Sequence, residues 1–431
     1  MQRKILQSLA KWKDKANRKP LIIQGARQVG KTWVMKHFGQ IAFDKVAYIN
    51  FDHNPRMQQL FAMDYDINRL ILGLKIESGV DIQAEDTLII FDEIQEVPQA
   101  LSSLKYFYEN APQFYLIAAG SLLGVSLHQQ VSFPVGKVEF LPMYPMDFHE
   151  FLLALNKQDL AQLLEMQDWA LIRAMKSHYI ELLRQYYFIG GMPEVVKTFV
   201  QTQNFDEVRH IQRQLLIAYE QDFSKHIDDG QTVKRVRSIW HSIPEQLAKE
   251  NKKFVYAQLQ KGARSKEYEV ALQWLKDSGL VHCVPRIKKP HLPLSAYQEN
   301  AFKLFALDVG LLAAQSYLDI NTLLEGNRIF TEFKGALTEQ YVLQQLISQQ
   351  DNPMFYWATE RGTAEIDFVI QQQQNVIPLE VKAEENLKAK SLKVYVEQFR
   401  PIRAIRCSMA DYREQDWLIN VPLYAIQHYF R

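Results

Sequence analysis

The chain has 431 residues, 47% of them hydrophobic and 23% charged, which is ordinary globular usage and enough for about two to four domains. A net charge of +1 excludes an overall field that would draw nucleic acid or an anionic membrane, so any basic patch must be local. No apolar run reaches the ~18 residues needed to cross a bilayer, and two distant cysteines, Cys283 and Cys407, exclude a disulfide framework or thiolate metal site.

Residues Met1 to Lys19 are basic and lack an apolar segment, so no secretory signal is expected; a cytoplasmic location is. An apolar strand, Leu21 to Ile23, then runs into Gly25-Ala26-Arg27-Gln28-Val29-Gly30-Lys31-Thr32. This G-x-x-x-x-G-K-T pattern between strand and helix is a phosphate-binding loop. Gly25 and Gly30 let the backbone turn its N–H groups towards phosphates. Lys31 brings a charge to the β- and γ-phosphates, and the Thr32 hydroxyl is a ligand for Mg²⁺. The following helix adds its positive end. The eight residues Gly25 to Thr32 are the expected ATP-binding loop.

Two further apolar strands follow, Val46 to Asp52 and Thr87 to Glu93. Continuous apolar runs of this kind suit a parallel sheet buried on both faces. The second ends in Asp92 and Glu93, at the carboxyl edge where open α/β sheets bind ligands. Asp92 is expected to hold Mg²⁺ through its water shell, and Glu93 to orient and deprotonate the attacking water. A strand over Phe114 to Ala119 ends at Gly120-Ser121, where Ser121 is placed to sense the γ-phosphate or the water. A strand over Lys137 to Leu141 follows, and Lys137 is a weaker candidate for a phosphate contact.

The additional strand between the phosphate loop and the Asp-Glu strand, with the glutamate itself, resembles the AAA+ and STAND branch of P-loop ATPases. Phe188-Ile189-Gly190-Gly191-Met192-Pro193-Glu194 resembles the Gly-Gly-x-Pro element of the archaeal-type ATPases in that branch. Relatives commonly carry arginine where Lys137 stands, which leaves Arg27 and Arg184 both open as an arginine finger.

Residues 148–250 read as mostly helical, with apolar residues at three- and four-residue spacings. Beyond them, Ser265 can cap a helix through Trp274 and Leu275 that Gly279 ends, followed by a strand at Leu280 to Val284 and basic residues to Lys289. That order resembles a winged helix. Nine Lys or Arg against three Asp or Glu over 252–289 give a local charge of +6. This is the best candidate footprint for DNA or RNA, although a lid on the nucleotide domain is the competing reading.

In the last third, strands over Ala364 to Ile370 and Val376 to Lys382 face each other across a short turn. If Ile370 pairs with Ile377, then Glu365, Asp367, Glu380 and Lys382 share a face. Upstream, Glu339 falls on the apolar face of a helix from Thr331 to Gln350, an expensive place for a carboxylate unless paired or metal-bound.

Glu339, Asp367 and Glu380-Val381-Lys382 resemble the restriction-endonuclease-like, PD-(D/E)xK superfamily. The resemblance implies Mg²⁺ or Mn²⁺ on Glu339, Asp367 and Glu380, with Lys382 as the catalytic lysine. A cross-strand ladder in which Lys382 pairs with Glu365 and Asp367 is the alternative. The whole order resembles a widespread prokaryotic ATPase family with a carboxyl domain of unknown function, which Lys303 to Leu312 (KLFALDVGLL) and Trp357 to Lys382 fit.

The expected fold is therefore α/β: a P-loop NTPase parallel sheet, a helical and winged-helix region, and a restriction-endonuclease-like α/β domain. The expected parts are an ATPase domain at 1–147, a helical segment at 148–250, a winged-helix region at 251–298 and a nuclease-like domain at 299–431. The expected activity is ATP hydrolysis at Lys31, Thr32, Asp92 and Glu93, coupled to nucleic acid through the last domain. The alternative is an ATP-driven assembly or signalling switch that binds a partner without cleavage. ATP, DNA or RNA and a homo-oligomer are the partners considered, and a membrane is not.

Overall fold

The computed structural model describes residues 2–120, 134–227, 229–325, 331–349, 353–360, 362–385 and 389–430. They form two compact units, one of Met1–Tyr144 with Asp277–Gly279, the other of Pro145–Lys276 with Leu280–Arg431. The three parts expected beyond residue 147 thus cluster together, apart from the short segment 277–279. Among the described residues no helix is long and apolar enough to cross a membrane.

The first unit is built on five parallel strands: β1 (Leu21–Gln24), β2 (Lys45–Asn50), β3 (Thr87–Asp92), β4 (Tyr115–Gly120) and β5 (Glu139–Pro142). Their order is β2-β3-β4-β1-β5. β3 is buried along its whole length, as its unbroken Leu-Ile-Ile-Phe run demands of a strand covered on both faces. On one face Ile22, Ile49, Ile89, Phe91 and Ala118 meet Phe61, Leu70, Leu74 and Leu104 from the flanking helices. Phe51, Phe61 and Phe91 pack edge to face at 5.1–5.8 Å, the favoured geometry for ring quadrupoles.

The second unit begins with helices and ends in one mixed sheet of eight strands. The strands are β6 (Val281–Ile287), β7 (Gln298–Ala306), β8 (Phe355–Ala358), β9 (Glu365–Gln372), β10 (Asn375–Val381), β11 (Ala404–Ser408), β12 (Arg413–Glu414) and β13 (Leu418–Pro422). They run in the order β12-β13-β11-β10-β9-β8-β6-β7. β6 and β7 form an antiparallel hairpin, and β6 also pairs in parallel with β8. The proposed boundary at residue 298 therefore falls inside this hairpin, whose strands belong to the same sheet as the hairpin carrying Asp367.

The Gly-Gly-x-Pro element has a structural task in the second unit. Gly190 takes φ 74°, a left-handed value that side chains resist. The Gly191 N–H donates to Asp308 Oδ2 at 2.6 Å, while its carbonyl accepts from the Met146 N–H. A Cβ on Gly191 would stand 1.9 Å from the Met146 carbonyl oxygen. Asp308, fully buried, also caps the helix Val309–Gln315 and accepts from Gln344 Nε2 at 2.9 Å. Pro193 then starts the helix Pro193–Thr202, where its missing N–H costs nothing.

Candidate functional site

The phosphate loop joins β1 to the helix Lys31–Ala42, and its shape follows from its glycines. Gly30 has φ 97°, and a Cβ on Gly25 would lie 2.2 Å from the Met143 carbonyl oxygen. Both positions therefore exclude a larger residue. Val29 and Ala26 are buried beneath the turn and fix it to the domain. Arg3 ties the loop from outside, donating to the Val29 carbonyl at 3.0 Å. Gly279, counted in the same unit, approaches so closely that a Cβ there would lie 3.2 Å from the Ala26 nitrogen.

Lys31 is buried, and its Nζ donates to the carbonyls of Gly25 at 2.9 Å and Ala26 at 2.8 Å. Burial pushes the ammonium down to a pKa of about 8, against the pull of Glu93 and Asp92. A triphosphate would add to the negative charge that Glu93 and Asp92 already place near this buried cation.

At the carboxyl end of β3, Asp92 Oδ2 accepts from Thr32 Oγ1 at 2.7 Å and from the Tyr48 hydroxyl at 2.9 Å. Tyr48 lies on β2, beside β3, and was not among the residues expected from the sequence. Its signal there was a phenol among the apolar Val46, Ala47 and Ile49 of that strand. Burial, followed by the charge of Asp92, keeps its phenol protonated. Thr32 and Asp92 are hard oxygen groups already in contact with each other, so they fit the Mg²⁺ that accompanies ATP.

Glu93 follows in a left-handed backbone conformation, φ 52°, ψ 45°, where non-glycine residues are held only by their surroundings. Gln95 Nε2 donates to Glu93 Oε2 at 2.6 Å. Gln95 too was missed; only its place in the turn after the two acids marks it.

Ser121 lies outside the described residues. Arg27 sits in the loop and is half-buried, whereas Arg184 belongs to the second unit, in the helix Lys176–Ile189. Lys137 does not reach the phosphates. β5 runs parallel to β1 with Glu139 beside Leu21, so Lys137 stands at the amino end of the sheet and the loop at the carboxyl end. Its ammonium pairs with Glu109 at 2.9 Å.

A second cluster lies in the second unit. β9 and β10 pair with Ile370 opposite Ile377, the register read from the sequence. Glu339 is carried by the helix Thr331–Ile347, which Gln340 anchors through two hydrogen bonds to the backbone of Ala306. Lys303 of β7, three residues before Ala306, projects among the acids. Its Nζ lies 2.6 Å from Glu365 Oε1, 3.3 Å from Glu339 Oε2 and 3.6 Å from Asp367 Oδ1. Lys252 also pairs with Glu339. Lys382 pairs with Glu380 at 2.9 Å, not with Glu365 or Asp367. Asp367 Oδ2 accepts from the Val381 N–H at 2.8 Å.

Burial alone would lower the Lys303 ammonium, but Glu339, Glu365 and Asp367 hold it well above the ordinary lysine value. Burial raises the Asp367 carboxyl, as does the neighbouring Glu339. Glu339 goes the other way, because Lys252 and Lys303 outweigh its burial. Four carboxylates thus face three ammonium groups. Among the described residues no three carboxylate, histidine or cysteine side chains are placed to hold a metal. The expected ligands Glu339 and Asp367 surround a cation, but that cation is Lys303. A divalent metal does not fit the cluster in this form.

Lys303 was not among the expected site residues, although a lone lysine inside the apolar run Phe302 to Leu307 was a visible signal. Within 252–289, Lys252 and Arg286 are drawn into ion pairs with Glu339 and Glu299. Lys261, Arg264, Lys266, Lys276, Lys288 and Lys289 are exposed.

Residues 17–152 match the sequence family described as an AAA domain. Residues 180–322 and 334–426 match two families described as domains of unknown function. No curated protein sequence matches the chain. Among solved structures, the Walker-type ATPase of Pyrococcus abyssi is similar at 13% identity and a TM-score of 0.45, covering 72% of this chain and 94% of that one. The Aeropyrum pernix ORC1 protein in complex with DNA has 12% identity and a TM-score of 0.27, with 73% and 90% covered. AMPPCP-bound DnaA from Aquifex aeolicus has 10% identity and a TM-score of 0.28, with 63% and 85% covered. The AAA-domain match contains the phosphate loop, Asp92 and Glu93, so the first unit carries a P-loop ATPase domain of the AAA type.

Proposed function

We propose that the chain hydrolyses ATP and uses its nucleotide state to control how the carboxyl-terminal, nuclease-like module grips nucleic acid. The observation that carries the ATPase is the contact of Thr32 with Asp92 beneath the phosphate loop, with Glu93 next in the chain. In this reading the loop amides and Lys31 hold the phosphates. Thr32 and Asp92 hold Mg²⁺, which offsets charge on the β- and γ-phosphates. Glu93 takes the proton from a water as its oxygen bonds to the γ-phosphorus and the β–γ bridging oxygen leaves with ADP. The test is hydrolysis of MgATP by wild type and by Lys31→Ala, which removes the cation at the phosphates.

The nucleic-acid part rests on the segment 252–289. The helix Gly230–Leu247, the short turn Tyr256–Gln258 and the helix Ser265–Asp277 precede the β6–β7 hairpin, and Lys253 bridges to Lys303 on β7. That succession supports a winged helix, and Lys261, Arg264 and Lys266 stand exposed at the start of its second long helix. DNA and RNA affinity measured against salt tests this, because phosphate contacts give a steep negative slope.

A second reading has an observation of its own. The acids of the last domain are already paired with lysines, which suits a switch that binds a protein partner or a second copy without cleavage. Absence of any nucleic-acid affinity at low salt would select it.

A further inference from the structure

The cluster around Lys303 is built for a monovalent ammonium. Lys303 is fully buried, and its ammonium lies 2.6 Å from Glu365 and 3.3 Å from Glu339, with the Asp367 carboxyl in ion-pair range at 3.6 Å. Mg²⁺ needs near-octahedral oxygens at about 2.0–2.1 Å, whereas the oxygens here are spread around an ammonium nitrogen that fills their centre. The ammonium also stands 5.1 Å from the centre of the Tyr356 ring, whose face favours a cation.

Charge points the same way. Glu339, Glu365, Asp367 and Glu380 face Lys252, Lys303 and Lys382, one ammonium short of balance, and a divalent ion added to them would reverse the sign of the cluster. Lys303 has no exposed side-chain surface, and its strand, β7, is held in the sheet by pairing with β6. Gln340 holds the Glu339 helix against the same strand.

We infer that Lys303 is the resident cation of the nuclease-like domain, standing in for the divalent ion that the resemblance implies, so that the domain holds its ligand without cutting a phosphodiester. The inference rests on the nuclease-like reading of that domain. It also identifies the residue whose removal would let a metal in: without Lys303, Glu339, Glu365 and Asp367 would lose their shared cation and be free to draw together on a divalent one, a placement they do not have around the ammonium. Glu380 Oε2 is already buried without a hydrogen-bond partner among the described residues, and it would join such a site.

The experiment is a Mn²⁺ titration followed by electron paramagnetic resonance, on the full chain without nucleotide. Wild type, Asp367→Asn, Lys303→Met and the double variant are compared, so the phosphate loop contributes equally to all four. Wild type and Asp367→Asn are expected to give the same isotherm. Lys303→Met is expected to gain one site at least about tenfold tighter than any in wild type, and the double variant to lose it. Wild type is expected to leave DNA and RNA intact with Mg²⁺ or Mn²⁺.

A wild-type Mn²⁺ site that Asp367→Asn removes, or wild-type cleavage that Asp367→Asn abolishes, overturns the inference. So does a folded Lys303→Met that gains no site. Should Lys303→Met fail to fold, the pair of wild type and Asp367→Asn still decides. Loss of the nuclease-like reading would appear differently, as wild type with no nucleic-acid affinity.

Discussion

Thr32 Oγ1 donates a 2.7 Å hydrogen bond to Asp92 Oδ2, joining the first turn of the helix after the phosphate loop to the end of β3. The two residues are sixty positions apart in sequence, and each is placed by its own local rule: a glycine turn for Thr32, a buried strand end for Asp92. Their contact brings together the two oxygen groups that, in the proposed function, would hold Mg²⁺.

Nucleotide affinity will depend on pH through Lys31. Its folded pKa of about 8 is below the ordinary lysine value, so this group opposes folding at neutral pH, and the penalty fades as pH rises from about 8 towards 10.5. Phosphates favour the charged form, so binding above pH 8 must take up a proton. ATP affinity is therefore expected to fall as pH rises from 8 to 9.5. Titration calorimetry in two buffers of different ionisation enthalpy should show proton uptake at the higher pH; a flat affinity would contradict it.

Gln95→Ala is expected to lower kcat by about tenfold while leaving KM unchanged. Gln95 donates to Glu93 Oε2, and a general base contributes about 10²–10⁴ in rate only when held in line. A variant with altered KM and intact kcat would place Gln95 in nucleotide binding instead.

The first unit was largely legible from its residues because a parallel sheet announces itself as apolar runs and its ligand edge is fixed by strand direction. The same direction rule removes Lys137, a weaker candidate for a phosphate contact, because β5 carries it to the opposite end of the sheet. The β9–β10 hairpin was legible because a short turn sets its register. Lys303 and Lys252 were not, since both approach the acids from elements far away in sequence. The Gly190-Gly191 turn was visible, but its partner, Asp308, lies 117 residues away from Gly191.

Lys303→Ala should cost about 3–5 kcal/mol of stability, the usual penalty for leaving buried charges without their partner. The exposed pair of Lys15 with Glu139 gives the contrast, since Lys15→Ala should cost less than about 1 kcal/mol. Denaturant titrations of both variants check this, and equal losses would contradict the buried geometry.

Gly191→Ala should destabilise the second unit by about 1–3 kcal/mol, because the new methyl meets the Met146 carbonyl oxygen. A melting temperature unchanged from wild type would show that the turn has slack.

If Lys261, Arg264 and Lys266 each contact a phosphate, changing all three to alanine should reduce the slope of log affinity against log salt by roughly 2.7. An unchanged slope would remove this surface from the interface.

The most direct test of ATP hydrolysis at this site is a single-turnover assay of MgATP with wild type and Glu93→Gln, with nucleotide binding measured in parallel. Wild type is expected to hydrolyse ATP, and the variant to bind it with similar affinity but hydrolyse it at least about 100-fold more slowly. Hydrolysis by Glu93→Gln at the wild-type rate, or none by wild type, would contradict the proposed role of the site.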